Sequence, residues 1–137
     1  MNSCLKIDLD HTHSEKTLYS KVLNPYKTIS ELHELPLSTI EIYTTKHGFH
    51  IYIENPMFKY YAKTSIILLQ LLLGSDKNRE LFNYQRLIKE PKMQNWNVLF
   101  AQKYKGNTLI SQEKPHKKLI LKNGQYVEIS FDKIKFE

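Results

Sequence analysis

Three short stretches alternate apolar with polar side chains, and their order along the chain limits the folds open to it. In Cys4–Asp10, Leu5, Ile7 and Leu9 fall on one side and Lys6, Asp8 and Asp10 on the other, the pattern of a half-buried strand. Residues 40–43 and 49–53 repeat the alternation on either side of a short turn ending in Gly48, which reads as a hairpin. With Phe49, Ile51 and Ile53 facing the core, His50 and Tyr52 are expected on the same kind of polar face that carries Asp8 and Asp10. Between the first strand and the hairpin, Ser14 is placed to cap a helix with Leu18, Val22 and Leu23 on one side, which Pro25 is expected to end. Ile29, Leu32 and Leu35 then suggest a second short helix before Pro36.

Beyond the hairpin the apolar spacing changes to that of helices. Residues 59–73 suit a largely buried helix closed by Gly74, and Ser75 or Asp76 then caps another with Leu81, Tyr84 and Ile88 on one stripe, ended by Pro91. Trp96, Val98 and Phe100 alternate as a further strand. Residues 117–122 and 125–131 flank Asn123-Gly124, the strongest short hairpin signal in the sequence. The expected fold is α+β: a mainly antiparallel sheet with helices on one face, palm-like or RRM-like, plus a C-terminal β-hairpin.

The 137 residues are expected to form a single domain, residues 1–137, large enough to bury a core without disulfides or a structural metal. Cys4 is the only cysteine, which excludes an internal disulfide and a zinc-finger ligand set and suits a reducing compartment such as the cytoplasm. Lys6, Asp8 and Asp10 occupy the place where a signal peptide would carry its apolar stretch. The longest apolar run, residues 66–73, is broken by Gln70 and is far short of the roughly 20 residues that cross a bilayer, so no membrane partner is expected. Charge is uneven: residues 1–54 hold 5 basic and 7 acidic side chains, residues 55–137 hold 15 and 7. A positive field of that kind favours a polyanionic partner such as nucleic acid.

The chemistry-bearing candidates begin with Asp8 and Asp10. Spaced i and i+2 at the end of a strand, they project side by side, as paired carboxylates do when they hold Mg²⁺ or Mn²⁺ for phosphoryl transfer. Lys6-Ile7-Asp8-Leu9-Asp10, then Thr45-Lys46-His47-Gly48-Phe49-His50-Ile51, then Ser75-Asp76 followed by Arg86-Leu87-Ile88-Lys89-Glu90-Pro91, together resemble the three motifs of the archaeo-eukaryotic primase superfamily, in a minimal or degenerate form. The resemblance implies a nucleotidyl-transfer palm. Asp8, Asp10 and Asp76 would bind the catalytic Mg or Mn ions, and Asp8, Asp10 and His50 would serve catalysis. Lys46, His50, Arg79, Arg86 and Lys89 would neutralise the phosphates of a nucleotide. Lys89 stands where the family has Arg, which keeps the charge but not the planar fork. The resemblance also suggests a replication protein of a mobile element, with nucleic acid and nucleotide as partners and the host cytoplasm as its place of action if viral.

Two other functions compete. Lys103, Lys105, Lys117 and Lys118, with Tyr126 and the neighbouring Tyr104, Lys114 and Lys122, interleave positive charge with aromatic rings, as a non-enzymatic protein that binds single-stranded nucleic acid would. His11-Thr12-His13 with Tyr60-Tyr61-Ala62-Lys63 contains fragments of a rolling-circle replication endonuclease, in which two His hold a metal and a Tyr on a helix is the nucleophile. No Gly-x-Ser-x-Gly or Gly-x-Gly-x-x-Gly occurs, which leaves hydrolase and dehydrogenase readings without support.

Overall fold

A computed structural model describes residues 4–131. It is α+β, with a five-stranded antiparallel sheet in the order β1-β3-β2-β6-β7 and a separate two-stranded sheet of β4 and β5. The strands are β1 (Cys4–Asp10), β2 (Ser38–Thr44), β3 (Gly48–Glu54), β4 (Gln102–Lys105), β5 (Thr108–Gln112), β6 (Lys114–Lys122) and β7 (Gln125–Ile129). The helices are α1 (Glu15–Leu18), α2 (Asn24–Leu32), α3 (Lys63–Leu72) and α4 (Lys77–Lys89). β3 lies between β1 and β2, so the α1–α2 segment carries the chain across one face in a split βαβ unit. Leu5, Ile7, Leu9, Ile40, Ile42, Phe49, Ile51 and Ile53 are all buried on the helix-covered face against Leu18, Val22, Tyr26 and Ile67. No helix among the described residues is long and apolar enough to cross a membrane.

The alternation of β1, β2 and β3 appears in the structure as expected, with Asp8 opposite His50 and Asp10 opposite Gly48. Gly48 is required by close approach: a Cβ there would stand 2.1 Å from the Leu9 carbonyl oxygen. Asn123 and Gly124 form the tight turn of the β6–β7 hairpin, both with positive φ. Ser14 caps α1 by accepting from the Thr17 amide at 3.2 Å, and Asp76 caps α4 by accepting from the Arg79 amide at 3.0 Å.

Four expectations are corrected. Pro25 does not end the first helix. α1 runs through a π-helical turn, Tyr19–Leu23, into α2, and Pro25 stands in the first turn of α2, where no amide donor is needed. α3 starts at Lys63 rather than residue 59, because Pro56–Tyr60 forms a separate 3₁₀ turn. In α4 the inward face is Glu80, Asn83 and Leu87, while Leu81, Tyr84 and Ile88 point to solvent, a rotation of one residue from the apolar stripe. Finally, residues 96–100 are not a strand; the strands that follow, β4 and β5, carry exposed side chains almost throughout and no apolar alternation to betray them.

Candidate functional site

β1 is an edge strand, and an edge strand leaves every second residue's N–H and C=O without a ladder partner. Here three side chains and one backbone amide take the place of a neighbouring strand. The Lys6 amide donates to Gln70 Oε1 at 2.9 Å and the Asp8 amide to Ser75 Oγ at 3.1 Å. The Lys6 carbonyl accepts from an Arg79 guanidinium nitrogen at 2.6 Å, and the Asp8 carbonyl from the Asp76 amide at 2.7 Å. The donors and acceptors form one buried network: Glu80 accepts from Gln70 at 2.7 Å, from Ser75 at 2.7 Å, from Asn83 at 3.2 Å and from Arg79. Asn97 joins it through Gln70 and Arg79, and Arg79 Nε donates to the Val98 carbonyl at 2.7 Å. Residues 96–100 are thus tied to β1 through side chains, which is why they need not pair as a strand.

This network fixes the backbone of Asp8 from its open side while β3 fixes the other. The Asp8 and Asp10 side chains emerge on the sheet face opposite Leu5, Ile7 and Leu9 and line a cleft of about 300 Å³ together with Asp76, Arg79 and Arg86 at α4 and Lys103 of β4. Phe82 and Phe100, both more than half exposed, form its apolar walls. Burial pushes the Asp8 carboxyl above the usual carboxylate range and the Asp10 charge adds to the rise, against the opposing pull of His50, Lys103 and Arg79. Oxygen donors in such a cleft suit a hard divalent cation, although no three His, Cys, Asp or Glu side chains among the described residues are grouped closely enough to hold a metal together. One Asp76 oxygen is committed to capping α4.

His50 is 3 % exposed and lies between two carboxylates. Its Nε2 is 3.6 Å from Asp8 Oδ1, and its Nδ1 donates to Glu113 Oε2 at 2.7 Å. The Tyr52 hydroxyl donates to the same Glu113 oxygen, and burial with that carboxylate holds the phenol well above its usual range. Both ring nitrogens of His50 therefore face carboxylates rather than the open cleft.

The other candidates separate into distinct places. Arg86 lines the acidic cleft and donates to Asn83 Oδ1 at 2.7 Å, whereas Arg79, its side chain 10 % exposed, spends its guanidinium on carbonyls, Asn97 and Glu80. Lys46 is exposed in the β2–β3 turn and lines a different cleft, and Lys89 is exposed at the end of α4. Lys103 and Lys105 are exposed on β4. Lys117 and Lys118 point to opposite faces of β6: Lys117 pairs with Glu15 at 3.4 Å, and Lys118, 3 % exposed, pairs with Glu41 at 3.0 Å. The Tyr126 hydroxyl donates to the Leu23 carbonyl at 2.7 Å. Lys117, Lys118 and Tyr126 therefore hold the sheet to its surroundings and do not continue the exposed basic strip of β4.

The rolling-circle fragments are not brought together. His11 and His13 follow the end of β1, while Tyr61 and Lys63 line a pocket with Cys4 at its start, roughly 20 Å away along a seven-residue strand. Tyr60 is in the 3₁₀ turn, and the Tyr61 hydroxyl is hydrogen-bonded to His33 at 2.7 Å. Burial raises the Cys4 thiol to about 12, far from nucleophilic.

Sequence reasoning missed Gln70, Glu80, Asn83, Asn97 and Glu113. Gln70 interrupting an apolar run was their one visible trace; nothing in the spacing of the others distinguishes them from polar residues that face solvent. No family model matches the chain, and no curated protein or solved structure matches it either.

Proposed function

We propose that this protein handles nucleic acid or nucleotides through the cleft at the end of β1, with metal-dependent nucleotidyl transfer, as in a primase-like palm, the sharper form of the reading. The observation that carries it is the convergence of Asp8, Asp10 and Asp76 on one cleft with Arg86 and Lys103. Asp8 and Asp10 would hold the Mg²⁺ or Mn²⁺, and a cation there would offset the burial and the Asp10 charge that together raise Asp8. The metal would supply charge neutralisation for phosphate oxygens. Arg86 and Lys103 supply positive charge at the rim, where a phosphate chain would enter, and Phe82 and Phe100 offer apolar rings for a base.

A binding protein without catalysis is the second reading, and a specific observation favours it. His50 and Arg79, which the primase resemblance assigns to phosphates, are both engaged by protein groups. The experiment is calorimetric titration of Mn²⁺, with and without a nucleoside triphosphate, into wild type and Asp8→Asn/Asp10→Asn. Wild-type binding that nucleotide strengthens and the double variant loses supports the cleft as a metal–nucleotide site. Absence of both metal and nucleotide binding in the wild type overturns it and leaves the binding reading.

A further inference from the structure

The β4–β5 hairpin contributes to two clefts, one that holds carboxylates and one that holds none. Its β4 flank contributes Lys103 to the acidic cleft; its β5 flank contributes Leu109, Ile110 and Ser111 to a second one of about 610 Å³. Across from β5, that second cleft is bounded by Thr45 and Lys46 of the β2–β3 turn and by Lys114, the first residue of β6, with no carboxylate in its lining. Lys46 and Lys114 make no ion pair among the described residues, unlike Lys117 and Lys118 further along β6. The nearest acid in sequence, Glu113, is turned away under the hairpin onto His50 and Tyr52. Leu109 and Ile110 are each 43 % exposed and Tyr104, on the paired strand, is 56 % exposed.

We infer that this groove binds the phosphodiester backbone of a single-stranded polynucleotide. The inference rests on the nucleic-acid reading above and adds to it a second site, across the hairpin from the acidic cleft. Two lysines without an ion pair among the described residues, set along an open groove, match successive phosphates, and the neighbouring exposed apolar and aromatic side chains match unstacked bases and sugars.

The test is fluorescence anisotropy of a labelled single-stranded oligothymidylate against wild type, Lys46→Glu/Lys114→Glu and Asp8→Asn/Asp10→Asn, over a range of salt, with Mn²⁺ titration of all three proteins in parallel. Lys46 and Lys114 are both exposed, so the lysine variant should melt like the wild type. The expected result is a loss of affinity of about tenfold or more and a salt slope shallower by about 1.4, the contribution of two phosphate contacts on a single strand. Unaltered oligonucleotide binding in the variant, or no binding by the wild type, overturns the inference. So does equal displacement by tripolyphosphate or polyglutamate at matched charge, which would make the groove a general anion site. The Mn²⁺ arm keeps the two sites apart: loss of metal binding alone in Asp8→Asn/Asp10→Asn bears on the acidic cleft, and loss of oligonucleotide binding alone in Lys46→Glu/Lys114→Glu bears on the groove.

Discussion

Two groups of polar residues flank Asp8, and they differ in every physical respect. On the α3–α4 side, Gln70, Ser75, Glu80 and Asn83 are buried, and each is hydrogen-bonded to another polar group of the same network. On the β4–β5 side, Lys103, Tyr104 and Lys105 are exposed on a two-stranded ribbon that pairs with no third strand. The first group replaces a missing strand and costs a great deal to disturb, because a buried polar group loses its partner when the network is cut. The second contributes little to the fold, because two strands alone bury little, and it keeps its charges open to solvent. Polar side chains are architecture in one place and open to solvent in the other, and burial tells them apart.

The largest effect expected is at Glu80. Glu80→Ala leaves the Arg79 guanidinium buried without its carboxylate and should cost about 3–5 kcal/mol in chemical denaturation. A cost below 1 kcal/mol would mean that the network is not what holds the edge of β1. Gln70→Ala removes the acceptor for the Lys6 amide and one partner of Asn97, and a loss of about 1–3 kcal/mol is expected by the same measurement.

A third prediction uses pH. The Asp8 carboxyl is raised in the folded protein, so folding favours its protonated form. The resulting stability is fully present below the ordinary Asp value and is lost as pH rises through the raised value. In metal-free buffer the Asp8 contribution therefore falls across that interval, opposite in sign to that of Glu15, whose carboxyl is, despite its partial burial, held low by His116 and Lys117. The melting temperature of the wild type minus that of Asp8→Asn should thus fall with rising pH. A difference that rises there would contradict the burial argument. The smallest effect belongs to the hairpin: Lys105→Ala should change stability by less than about 0.5 kcal/mol, and a larger loss would show that the ribbon is part of the folded core after all.

What was legible in the sequence follows the same division. Strands that bury one face against helices announce themselves by period two, so β1, β2, β3 and the Asn123-Gly124 turn could be read directly. So could the polar face that His50 shares with Asp8, though not their pairing, since a two-residue period fixes the face and not the register between β1 and β3. α4 was read one residue out of rotation because its inward face is chosen for hydrogen bonding: Glu80 and Asn83 go in, and the apolar Leu81 and Ile88 stay out. β4 and β5 lack a buried face and so lack a period. Glu113 reaches His50 from 63 residues away through a hairpin that nothing in the local pattern foretells. Lys118 looked like its exposed neighbours, yet it is buried because Glu41 lies beside it on β2.

The most direct test of whether Asp8 and Asp10 hold a cation in this cleft is paramagnetic broadening by substoichiometric Mn²⁺ in an amide-resolved NMR spectrum. If they do, the amides of Asp8, Asp10, Asp76 and Lys103 fade first and together, and Mg²⁺ in excess restores them. Broadening that begins elsewhere, at Glu31 or Glu90 for example, or that spreads evenly over all exposed carboxylates, would contradict the assignment of this cleft as the functional site.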